Sequence, residues 1–155
     1  MTTEETIDQL SAWRLFFSAS NRVALALDRE LQAAHGLSLA EFEVLDSLRT
    51  GSPEGVRMTL LAESASISKS RLSHCVDRLV GSGLVRRDRV DDDRRGLRAV
   101  LTDKGLAVCS EASAVHSQVR ESLLGRVFAD GEGRSVLSEL QAVIDRAGGK
   151  GLNFA

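Results

Sequence analysis

Residues 84–105 read LVRRDRVDDDRRGLRAVLTDKG. Short apolar-rich segments flank a charged centre, and the stretch predicts a small β-ribbon. One strand is expected over 84–89, a tip over 90–96 and a return strand over 97–101. The tip sets Asp91, Asp92 and Asp93 just before Arg94, Arg95 and Gly96. Thr102 then caps a new helix, and Asp103 sits at the positive end of that helix.

Working outward, residues 68–83 have helical period. Leu72, Val76, Leu79 and Val80 form an expected buried stripe, while Ser70, Arg71, Ser73, His74 and Arg78 fall largely off it. Ser68 is a good N-cap, and Gly81 and Gly83 end the helix. A shorter helix over 59–64 precedes it across the turn Ala65-Ser66-Ile67. Helix, tight turn, polar-faced helix and ribbon make up a winged helix-turn-helix.

Long helices flank this centre. Over 6–34, Leu10, Trp13, Phe17, Ser20, Ala24, Leu27 and Leu31 recur three or four apart. Leu15, Phe16, Val23 and Leu25 lie off that stripe, so burial is expected on two sides, one against its own domain and one against a partner subunit. His35-Gly36 ends the helix, and Ser38-Leu39-Ala40-Glu41 matches a capping box that opens the next, to Thr50. Beyond the ribbon a helix runs to Phe128, with Cys109, Ala112, His116, Val119, Leu123 and Val127 on one stripe. A last helix covers 133–147. The fold class is mainly α with a small β-ribbon, divided as 1–37, 38–101 and 102–155.

Composition narrows the function. The 155 residues carry a formal net charge of −2. From Arg57 to Lys104, however, eleven basic residues face seven acidic ones, a net +4 that leaves the rest at −6. A basic centre on an acidic body is the footprint of a nucleic-acid-reading face. No apolar run reaches membrane-spanning length, and the polar start MTTEETIDQL is not a signal peptide. Cys75 and Cys109 offer neither metal spacing nor a disulfide framework, so no metal or cofactor and a cytoplasmic setting are expected. No nucleophile–base pair or phosphate loop supports an enzyme.

The chain resembles the MarR family of bacterial transcriptional regulators along nearly its whole length. The resemblance rests on Leu84-Val85-Arg86-Arg87, Asp93-Arg94-Arg95-Gly96 and Leu101-Thr102-Asp103-Lys104-Gly105, in which Asp93, Arg95, Leu101, Thr102 and Gly105 match the family signature. Gly36-Leu37-Ser38 through Val44-Leu45 and Val76-Asp77-Arg78-Leu79 match as well. It implies a homodimer built from the terminal helices and binding to double-stranded DNA at a pseudo-palindromic operator. It also implies release by a small, often aromatic or phenolic, effector, or by cysteine oxidation in the family's redox branch.

The residues then sort as follows. Ser68, Lys69, Ser70, Arg71, Ser73, His74 and Arg78 are the expected DNA contacts of the recognition helix, where arginine can pair with guanine. Arg94, Arg95 and Gly96 would enter the minor groove. Asp93 would orient the wing by holding one of those arginines or Arg78. Trp13, Phe17 and Phe42 are expected in the core, and with Ser20 and His116 they are the candidates for an effector pocket; a satisfied core or interface role is favoured for His116 and Ser20. Cys75 is expected to be a small buried residue, with Cys75 or Cys109 as a redox switch the alternative. A winged helix used only for protein contacts is disfavoured by the basic centre.

Overall fold

The computed structural model describes residues 9–65, 67–90, 93–129 and 131–146. Their order is α1 (Gln9–His35), α2 (Leu39–Thr50), β1 (Val56–Arg57), α3 (Met58–Ser64), α4 (Lys69–Gly81), β2 (Val85–Val90), β3 (Asp93–Leu101), α5 (Asp103–Phe128) and α6 (Gly131–Arg146). The expected segments 1–8 and 147–155 lie outside the described residues.

The helix boundaries follow local chemistry. Gly36 ends α1 at φ +66°, a left-handed position that favours glycine, and its N–H returns to the Gln32 carbonyl at 3.0 Å. Ser38 caps α2 by accepting the Glu41 N–H at 3.3 Å, and the Glu41 carboxylate takes the Ser38 N–H at 2.8 Å. The capping box is therefore closed in both directions. Ser68 caps α4 through the Arg71 N–H.

The ribbon is a three-stranded antiparallel sheet in the order β1-β3-β2. Val56 pairs with Ala99 and Arg57 with Arg98. Sequence periodicity missed β1, because two residues are too few to show alternation. The hairpin strands run further than expected. Strand β2 reaches Val90 and β3 starts at Asp93, so most of the expected tip is strand, with an irregular step between Arg89 and Val90.

One core joins the pieces. Leu31 of α1, Leu45 of α2, Leu61 of α3, Leu72 of α4, Val85 of β2 and Cys109 of α5 are essentially inaccessible. Each large aliphatic side chain so buried contributes about 1.5–3 kcal/mol. Two expectations are corrected. Val80 is 37% exposed, and Cys75 takes its place in the buried stripe of α4. Trp13 and Phe17 are more than half exposed in the single subunit, because residues 10–22 of α1 lie clear of the core.

The turn into α5 explains why Thr102 and Gly105 stand where they do. The Thr102 hydroxyl accepts the Gly105 N–H at 3.0 Å and donates to the Gly83 carbonyl at 2.8 Å, with the Leu84 carbonyl at 3.1 Å. One side chain thus caps α5 and ties it to the loop leaving α4. Gly105 lies against the Leu84 carbonyl, and a Cβ there would collide with that oxygen. Among the described residues no helix is long and apolar enough to cross a membrane.

Candidate nucleic-acid interface

Helix α4 buries Leu72, Cys75, Val76 and Leu79 and turns its other positions outward. Ser68, Lys69, Ser70, Arg71, Ser73, His74 and Arg78 are all exposed. The fold therefore brings every helix residue expected to touch DNA onto accessible surface. The Ser68 and Ser70 hydroxyls lie 3.2 Å apart beside the helix start, where free backbone N–H groups favour an anion.

The basic centre is less free than its composition suggests. Arg87 of β2 meets Asp77 of α4 at 2.6 Å, and Arg86 meets Asp88 at 3.2 Å. Arg98 of β3 donates to the Glu54 carbonyl at 3.2 Å and faces its carboxylate at 3.6 Å. Lys104 donates to the Ser82 carbonyl at 2.9 Å. Arg78 was expected either to contact DNA or to be held by an acid such as Asp93; its Nε bonds an acid, the Glu41 carboxylate, at 2.8 Å. Among the described residues, the side chains of Lys69, Arg71 and Arg89 form no hydrogen bond or ion pair, so unspent positive charge gathers at the start of α4 and on the outer strand. The backbone of Asp93, Arg94 and Arg95 lies in β3, while their side chains lie outside the described residues; Gly96 is half-buried in the same strand.

A cavity of about 790 Å³ opens beside the same helix. Ala24, Leu25 and Asp28 of α1, Leu39, Ala40 and Glu43 of α2, and Arg71 of α4 contribute to its wall. Burial, and then the nearby Asp46, raise the Glu43 pKa. Asp28 is engaged by the Leu39 N–H at 2.8 Å. None of the five residues expected at an effector pocket lines this space. Trp13 and Phe17 stack on the exposed part of α1 with ring centres 5.5 Å apart, and Ser20 lies on the same exposed stretch. Phe42 is buried and stacks on His116 at 4.7 Å, joining α2 to α5. Burial, then Arg120, lower the His116 pKa. The wall mixes small and aliphatic residues with the charged Asp28, Glu43 and Arg71, drawn from separate elements, and gave no sequence signal of a pocket.

Both cysteines are buried and unpaired. Burial raises each thiol pKa, helped by Glu41 at Cys75 and by Asp46 at Cys109. The environment of a reactive thiolate is the opposite, partly exposed and electropositive. Among the described residues no cluster of His, Cys, Asp or Glu could hold a metal ion.

Comparison with known proteins agrees with this geometry. Residues 35–96 match the MarR family. The chain is 31% identical over 114 residues to the HTH-type transcriptional regulator PecS of Dickeya dadantii, covering 71% of this chain and 69% of that protein. Among solved structures it is similar to Sco3205, a MarR family transcriptional regulator from Streptomyces coelicolor in complex with DNA. That likeness has a TM-score of 0.82 and 31% identity, covering 95% of this chain and 89% of the other. AbsC, a MarR family regulator from the same organism, gives a TM-score of 0.77 and 30% identity over 96% and 94% of the two chains.

Proposed function

The chain belongs to the MarR family of transcriptional regulators, and from that premise we propose that it is a homodimeric repressor that binds a pseudo-palindromic operator and releases it when a small ligand binds. The observation that carries the reading is the exposed start of α4, where Lys69 and Arg71 stand unpaired beside Ser68, Ser70, Ser73 and His74. Two such helices, one from each subunit, would enter successive major grooves about 34–36 Å apart. Arg94, Arg95 and Gly96 at the wing would reach the flanking minor groove, with Asp93 orienting them.

Dimerisation is supported by apolar surface that the single subunit leaves uncovered. Leu10, Trp13, Phe16 and Phe17 of α1, Leu123 and Val127 of α5, and Val136 and Val143 of α6 are all exposed. The proposed division is therefore 1–37 and 102–155 for association and 38–101 for DNA, with the protein acting in the cytoplasm.

Release is supported by Arg71, which lies both on the DNA-facing helix and in the cavity wall. An aromatic acid or phenolate in the cavity would draw this guanidinium inward and withdraw one DNA contact. The alternative, a switch on Cys75 or Cys109, has less support, because both thiols are buried and held protonated.

Binding to a duplex enriched by the protein from a random pool, measured by anisotropy over a range of salt, tests the reading. The association constant is expected to fall steeply with salt, and Lys69→Ala and Arg71→Ala, each removing one contact per subunit of the dimer, are each expected to flatten the slope by about two. Absence of salt-dependent duplex binding would refute it.

A further inference from the structure

Glu41 is the one buried charged side chain among the described residues, at 3% exposure. Its two oxygens have separate tasks. Oε2 accepts the Ser38 N–H and the Ser38 hydroxyl, both at 2.8 Å, and closes the cap of α2. Oε1 accepts Arg78 Nε at 2.8 Å, across to α4. A capping box works equally well with glutamine, so the cap does not require the charge. Burying a carboxylate is costly unless it is paired. The charge therefore serves Arg78.

We propose that Glu41 is a positioning residue for DNA binding: through Arg78 it fixes the rotation and tilt of the recognition helix α4. This rests on the DNA-binding reading above. The other contacts of α4 with the body are largely apolar, through Leu72, Val76 and Leu79, and such contacts are non-directional. The Arg78–Glu41 bond is directional. At the neighbouring position Asp77 bonds Arg87 of β2 at 2.6 Å. Helix α4 is thus tied to α2 from one residue and to the wing from the next, and rotating it strains one tie or the other. Arg71 lies seven residues from Arg78, about 10 Å along the axis. A tilt of about 10° about Arg78 would displace Arg71 by roughly 2 Å, enough to break a base contact that needs hydrogen-bond geometry.

The wild-type protein, Glu41→Gln, Arg78→Gln and the double variant are compared on the duplex enriched by the wild type, across salt concentrations. Glutamine keeps the cap, and circular dichroism checks that each variant is folded. Each single substitution is expected to weaken binding about tenfold, the double to be no weaker than either single, and the salt slope to stay unchanged. Glu41→Gln weakens binding although it removes a negative charge from the DNA-binding lobe, which simple electrostatics would not give. Unchanged or tighter binding by Glu41→Gln would overturn the proposal. So would additive effects, or an Arg78→Gln slope flatter by about two, which marks a direct phosphate contact in each subunit of the dimer. If Glu41→Gln does not fold, the Arg78→Gln slope decides alone. A wild type that enriches no duplex sinks the regulator reading itself, whereas a binding wild type with a silent Glu41→Gln sinks only the positioning role.

Discussion

Replacing Thr102 by valine keeps the side-chain shape and removes the hydroxyl that joins α5 to the end of α4. Two losses follow from the geometry. The N-cap bond to the Gly105 N–H, 3.0 Å long, disappears, which costs about 1 kcal/mol. The Gly83 carbonyl loses a donor at 2.8 Å, about 1 kcal/mol more. The sum, about 2 kcal/mol, corresponds to a fall of roughly 1 M in the urea midpoint at a slope of about 2 kcal/mol per molar. Urea unfolding followed by circular dichroism, at one fixed protein concentration so that association does not intervene, measures it. Thr102→Ser keeps both bonds and is expected to stay within about 0.5 kcal/mol of the wild type. A valine variant as stable as the wild type would refute the hydroxyl's role; a serine variant as unstable as valine would show that the γ-methyl, which valine keeps, contributes as much as the hydroxyl bonds.

Gly105→Ala places a methyl group against the Leu84 carbonyl and is expected to cost about 1–3 kcal/mol, read in the same urea assay, as backbone must shift to admit it. His116 has a lowered pKa when folded, so the unfolded chain binds the extra proton more readily, and stability present near neutrality is lost as pH falls through the unfolded value of about 6.5. His116→Phe should therefore flatten the fall in thermal midpoint between pH 7 and pH 5, and an unchanged pH profile would count against the buried imidazole. Cys75 and Cys109, buried with raised pKa, should react with a disulfide reagent only at the rate of unfolding, and peroxide should leave duplex binding intact; fast labelling of the native protein would reopen the oxidation switch.

Much of this architecture was legible because its signals are local. The cap at Ser38, the cap at Ser68, the cap at Thr102 and the alternation of the ribbon each lie within a few consecutive residues. The illegible parts depend on pairs distant in the chain. Glu41 was readable as a cap but not as the partner of Arg78, thirty-seven positions on. Strand β1 exists only because Ala99 and Arg98 offer an edge to Val56 and Arg57. The apolar stripe of α1 was visible, but its period could not tell which stretch meets its own core, and Trp13 and Phe17 fall on the stretch that does not. The cavity had no sequence signature because it is a space between elements rather than a property of one.

Strand β2 forms the outer border of the sheet, with β3 inside it. A border strand offers its unpaired backbone to any other extended chain and invites edge-to-edge aggregation, a hazard that charged side chains suppress. In β2 the sequence is VRRDRV, three arginines and an aspartate in six residues. The charge that favours a nucleic-acid polyanion also keeps two copies of this border apart. Neutralising the strand to abolish DNA binding would therefore expose the protein to self-assembly through its wing, and loss of solubility in such variants would have its origin at this edge.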